Sequence, residues 1–184
     1  MARPAGPGRR ALIDAGMTLA EDGGVAALSV SAVTTTAGMA KGSFYQHFPD
    51  RRSYIIELHR SYHDQLAEVV AQVISEFDPG IERLRAGLDA FLNACLQTRG
   101  TKAFLGQART ETDLGDEVAQ RNAAFATLVR EDLEAIGWSD AAPIATLAVA
   151  MAADVSFHEL VAREPREDLR AAILTLVSRP VCEA

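Results

Sequence analysis

The 184 residues, 48% hydrophobic and 23% charged, describe an ordinary globular chain with room for one good core, or for a small and a medium domain. The net charge of −7 argues against a protein that coats nucleic acid along its whole length, but that charge is unevenly spread. Residues 1–60 hold seven Lys/Arg and five Asp/Glu, a balance of +2, whereas residues 61–184 hold eleven and twenty, a balance of −9; phosphates are tolerated by the first segment and repelled by the second.

From the N-terminus, Met1 to Ala20 carries Arg3, Arg9 and Arg10 but no apolar block of the signal-peptide kind, because Asp14 and Gly16 interrupt what hydrophobicity there is. The longest charge-free stretch, Gly23 to Ala40, is studded with Ser, Thr and Gly, so no membrane partner is expected. Cys95 and Cys182 each stand alone; a structural disulfide between them stays open, but reduced thiols in a cytoplasmic protein are the commoner pattern. Residues 1–8, with two Pro and two Gly, read as a flexible basic arm. Apolar residues then recur at spacings of three and four, which predicts an all-α chain.

A first helix is predicted from Arg9 to Glu21, with Leu12, Gly16, Leu19 and Ala20 on one face. Ser29 caps a short second helix carrying Val30, Val33 and Ala37, and Gly38 stands where a tight turn needs positive φ. A third short helix runs from about Lys41 to His47 and stops at Pro49-Asp50. The fourth is long, to about Phe77, with Tyr54, Ile55, Leu58, Tyr62, Leu66, Val69 and Val73 as its inner stripe. Further helices follow Pro79, Gly100 and Leu114; an apolar one opens at Ser139 or Asp140, and the last opens at Pro165. The expectation is nine helices and no strand, divided into a reader at 1–53 and a larger helical domain at 54–184.

Three short helices with a glycine turn between the second and third describe a helix-turn-helix. The run Gly38-Met39-Ala40-Lys41-Gly42-Ser43-Phe44-Tyr45-Gln46-His47-Phe48 resembles the signature of the TetR family of transcriptional regulators: a turn, a short recognition helix and a Tyr-x-His-Phe ending. The likeness extends upstream through Ala11 to Gly16 and Leu28 to Val30, and downstream through Arg51, covering about the first 55 residues. Ala40 departs from the pattern, standing where the family usually places a Ser or Thr cap.

A recognition helix enters the major groove, where Lys41 meets phosphate or guanine acceptors and Ser43 offers a short hydroxyl to either base or phosphate. Gly42 lets the two backbones approach, and Tyr45 and His47 offer donors to flanking phosphates. Gln46 is the most plausible additional base reader, since its amide matches the two hydrogen-bonding atoms of adenine. Phe44 and Phe48, four apart, fall on the inner face. The resemblance carries over Ser29, Lys41, Ser43, Tyr45, His47 and Arg51 as contacts to a double-stranded DNA operator. Arg3, Arg9 and Arg10 are further candidates for backbone or minor-groove contacts.

For the larger domain, the resemblance implies a homodimer through the last two helices and a small-molecule effector held among helices four to eight. Leu147, Ala148, Met151, Ala152 and Val155 are apolar on more than one face, as a helix serving both core and partner requires. Phe91, Cys95, Phe104, Leu105, Phe125, Leu128 and Phe157 are candidates to line a mostly apolar pocket, though plain core is the simpler reading for each. Asp154 and His158 share one face of the apolar helix; buried, they would pair with each other, reach across the dimer, or orient a polar ligand atom. The family mechanism is a two-state switch, in which ligand moves the fourth helix and changes the spacing of the recognition helices. Reversing a 99:1 preference takes roughly 10⁴-fold discrimination by the ligand.

An enzyme is disfavoured: there is no Gly-x-Ser-x-Gly elbow, Walker loop or Cys-x-x-Cys, and no cofactor is expected. Gly6 to Ala11 matches a dinucleotide fingerprint only formally, with no strand before it. His59 and His63, four apart, have a spacing that can hold a metal, but two exposed or half-buried histidines are the simpler reading. A helical ligand-binding protein that has lost DNA binding is the remaining alternative, supported by the small positive balance of residues 1–60.

Overall fold

The computed structural model describes residues 6–23, 27–103, 106 and 114–178. Among them the chain is helical with no strand. The helices are α1 (Pro7–Gly23), α2 (Val30–Thr36), α3 (Lys41–His47), α4 (Arg51–Ile74), α5 (Ile81–Gln97), a short α6 described over 99–103, α7 (Gly115–Ile136), α8 (Ala141–Ala162) and α9 (Glu167–Val177). The all-α expectation holds. α1 begins two residues earlier than the arm at 1–8 allowed, because Pro7 takes the first helical turn, where its missing N–H costs nothing.

Two compact units form, one from Met1–Asp64 with Thr98–Glu117, the other from Gln65–Gln97 with Val118–Ala184. The first therefore takes in more of the chain than the 1–53 reader, and α4 contributes residues to both.

In the first unit, α1, α2 and α3 enclose Leu12, Ile13, Ala20, Leu28, Val33, Phe44 and Phe48, joined by Tyr54, Ile55 and Leu58 from α4. At its other end, the Thr101 backbone N–H and hydroxyl both donate to the Glu21 carboxylate, at 2.9 and 3.1 Å. His59 and His63 are both buried, with ring centroids 4.4 Å apart, and not exposed or half-buried as the sequence suggested. They lie on the same side of α4 as Ile55 and Tyr62, and that inward face sets their burial.

In the second unit α5, α8 and α9 pack around Leu84, Leu88, Leu92, Ala141, Ala145, Ala148, Val155, Ile173, Leu174 and Val177, with Leu133 from α7. Val70, not Val69, is the buried member of the α4 stripe; Val69 is 43% exposed. The core also holds an ion pair. Glu159 on α8 is wholly buried and takes two bonds from the Arg170 guanidinium on α9, Nε at 2.7 Å and Nη2 at 2.9 Å. Arg170 reaches on to Asp89 and Asn93 of α5 at 3.1 and 3.0 Å, and Glu159 also accepts the Arg166 backbone N–H at 2.9 Å. One guanidinium thus ties three helices together.

Candidate nucleic-acid interface

The reader is assembled by local rules. Ser29, extended at φ −84° and ψ 151°, caps α2 by accepting the Ala32 N–H at 3.0 Å. α2 ends in a turn closed by Met39 N–H to Thr34 O at 2.8 Å, and Gly38 sits there at φ +66°, the left-handed conformation that glycine adopts without steric cost. Ala40 takes the extended N-cap conformation of α3 but supplies no side-chain bond. The predicted cap, turn and missing cap all stand where expected.

What fixes the direction of α3 is aromatic. Phe44 and Phe48 are buried, with ring centroids 5.5 Å apart, and Tyr54 sits edge-on to both at 5.2 and 5.0 Å. The Tyr54 hydroxyl donates to the Leu12 carbonyl of α1 at 2.8 Å, and burial raises its pKa well above that of an ordinary phenol. Gly16 makes this possible, since a Cβ there would lie 1.9 Å from the Tyr54 hydroxyl oxygen.

With its inner face pinned, α3 presents Lys41, Gly42, Tyr45 and Gln46 outward, while Ser43 and His47 are half-buried. Tyr45 is 57% exposed, unusual for a large aromatic side chain. A Cβ on Gly42 would meet nothing within 4 Å, so the chain's own packing does not require glycine there. Arg51, exposed at the start of α4, donates Nε to the Leu28 carbonyl at 3.4 Å, and Ser29 follows Leu28 directly. That bond ties Arg51 to the residue immediately before Ser29, another of the predicted contacts.

The three arginines of the basic arm differ in placement. Arg3 lies outside the described residues, and Arg10 is exposed. Arg9 instead turns onto the protein: its Nη1 pairs with Glu57 at 2.7 Å, and its guanidinium lies 4.8 Å from the centre of the Phe48 ring. Sequence reading missed Glu57 altogether, since no spacing rule links residues forty-eight apart.

The pocket candidates divide. Phe91 and Phe125 are half-buried with ring centroids 5.9 Å apart, Leu128 is half-buried and Cys95 is buried. Phe104 and Leu105 lie outside the described residues. Phe157 is 60% exposed and does not line the interior of a single chain. Asp154 and His158 are exposed too, contrary to the buried pair envisaged; they meet each other at 3.5 Å on the outer side of α8. The buried carboxylate of that helix is Glu159, one residue further round.

A three-helix unit with a capped turn and an outward-facing, polar third helix has the arrangement of a helix-turn-helix. Residues 12–57 match the family model of the bacterial regulatory proteins of the tetR family, so this segment is similar to the N-terminal domain of those regulators. Solved structures share the fold over nearly the full length. A transcriptional regulator from Rhodococcus sp. Rha1 is 21% identical, with a TM-score of 0.77 over 92% of this chain and 93% of that one. The fatty acid degradation regulator FadR from Bacillus halodurans is 16% identical, with a TM-score of 0.79 over 99% and 100%. RolR, solved in complex with resorcinol, is 18% identical, with a TM-score of 0.64 over 96% and 95%. No curated protein sequence matches the chain.

Proposed function

We propose that this chain is a cytoplasmic, homodimeric repressor that holds a palindromic operator and releases it when a small, largely apolar effector binds the helical domain. The observation that carries the DNA half is the outer face of α3, where Lys41, Gly42, Tyr45 and Gln46 stand clear of the protein on a helix whose other face is locked by aromatic packing. Ser29, Ser43, His47 and Arg51 complete the proposed contact set. Dimerisation is supported by Leu147, Phe157 and Val161 on α8 and Leu176 on α9, all about 60% exposed or more. Four large apolar side chains bared on two adjoining helices make a patch of the kind that partners cover. Asp154 and His158 lie among them and would fall within that interface. The effector reading is supported by the Phe91–Phe125 pair and by the resorcinol complex of RolR, a protein of similar fold.

The test is selection from a pool of random duplexes at two salt concentrations, followed by sequencing. A palindrome supports a dimeric reader, and its half-site spacing reports the distance between recognition helices. Salt-sensitive background with no enriched sequence would remove the DNA role and favour a ligand-binding protein instead. Tyr45→Phe and Arg51→Ala should then weaken binding to every sequence, whereas Gln46→Ala should change the base preferred; uniform loss for Gln46→Ala rules out its reading role.

A further inference from the structure

Arg9 has the charge of a DNA contact but not the placement. It sits in the first turn of α1, 31% exposed, with its guanidinium shared between the Glu57 carboxylate of α4 and the face of Phe48 at the end of the recognition helix. Such a planar cation satisfies a carboxylate through its N–H edge while stacking on an aromatic ring, which a lysine cannot do equally well. The neighbouring residue adds a second, independent contact at the same place. A Cβ on Gly8 would lie 2.7 Å from His47 Nε2, 3.2 Å from its Cε1 and 3.3 Å from the Met39 methyl. The first turn of α1 therefore bears on His47 and Phe48, the last two residues of the Tyr-x-His-Phe ending, and on Met39 at the turn before α3.

We infer that Arg9 is a positioning residue for DNA recognition: it clamps Phe48 to Glu57 and so fixes the tilt at which α3 leaves α4, while Gly8 leaves room for the His47 ring. Arg9 does not itself contact phosphate. This rests on the DNA reading above, and it makes a prediction of opposite sign to direct contact. If Arg9 served phosphate, Glu57 would be a competitor, and neutralising Glu57 would strengthen binding. If Arg9 positions α3, neutralising Glu57 weakens binding although a negative charge near the DNA is lost.

The experiment uses the full chain and two fluorescent duplexes, the palindrome recovered by selection and a scrambled duplex of the same composition, titrated by anisotropy across a salt series. Thermal unfolding of each variant fixes a temperature at which all are folded. Glu57→Gln and Arg9→Gln are each expected to weaken binding to the palindrome by roughly three- to tenfold, with the double variant no worse than the weaker single one, as for two residues in one coupled contact. Binding to the scrambled duplex and the salt slope should stay as in the wild type, because no phosphate contact is lost. Arg9→Lys should fall between Arg9→Gln and the wild type, which shows that ring stacking contributes beyond charge. A merely structural role would lower the unfolding temperature and leave the ratio of palindrome to scrambled binding unchanged, and that result overturns the inference. Stronger binding by Glu57→Gln overturns it as well, as does a salt slope reduced by about one per Arg9 lost. Wild-type protein that binds neither duplex removes the DNA reading itself, an outcome distinct from the other three.

Discussion

Arg170→Met is the most informative single change in the helical domain. It removes the cation from a carboxylate with no exposure and leaves Glu159 only the Arg166 backbone N–H. Deleting one partner of a buried ion pair costs about 3–5 kcal/mol, because the remaining charge has neither water nor a counter-ion. For a chain of this size that corresponds to a fall in Tm of roughly 6–20 °C. Asp89 contributes little to the cost, since it is 44% exposed and regains water when Arg170 is gone. The assay is urea denaturation at one fixed protein concentration, so that any linkage to dimerisation is held constant.

Two controls bind the result to the mechanism. Adding Glu159→Leu should recover most of the loss, because an apolar pair replaces buried charges at little net cost. Acid should also narrow the gap between variant and wild type. Burial pushes the Glu159 pKa up, but the Arg170 and Arg166 hydrogen bonds and the Arg170 charge outweigh it, leaving the carboxyl below the ordinary glutamate value of 4.5. Stability from that pair is thus fully present above the ordinary value and is lost as pH falls through the lower folded-state value. A loss below about 1 kcal/mol for Arg170→Met, or a double variant as unstable as the single one, would refute the reasoning.

Three further changes probe the reader. Gly16→Ala should destabilise the fold by about 1–3 kcal/mol, the usual cost of overpacking, since the new methyl displaces the Tyr54 hydroxyl; combining it with Tyr54→Phe should recover part of that in thermal unfolding. Ala40→Ser should raise stability by about 0.5–1 kcal/mol, because the backbone at 40 already has the extended N-cap conformation and lacks only an acceptor. Gly42→Ala should raise stability by about 0.4–1 kcal/mol, as its Cβ meets open space on a helix, yet weaken DNA binding if the DNA backbone approaches there.

Legibility followed the range of the interaction. Ser29, Gly38 and Ala40 were placed correctly because caps and turns depend on residues within four positions, and Phe44 and Phe48 because one helical turn separates them. The long helix was harder. Over the twenty-four residues of α4 a small error in phase accumulates, and the stripe drawn through Val69 belongs at Val70. The partners of Arg9 are illegible for a different reason: its charge is visible in the sequence, but Glu57 and Phe48 meet it only after folding.

The apolar helix α8 shows where the signal was present and its phase was missed. Ala141, Ala145, Ala148, Val155 and Glu159 form its buried stripe, and a glutamate in line with small residues marks a charge that must find a cation. Asp154 and His158 drew attention because a fully apolar helix suggests burial on all sides, yet only the stripe facing α5 and α9 is covered. Among the described residues this is also the one helix long and apolar enough to cross a membrane. A bilayer would have to accept Asp154 and His158 on the lipid-facing side beside Leu147 and Val161, at a cost of several kcal/mol. A second copy of the chain can cover the same apolar residues while its own polar groups and interfacial water satisfy that pair, which favours dimerisation as the use of this face.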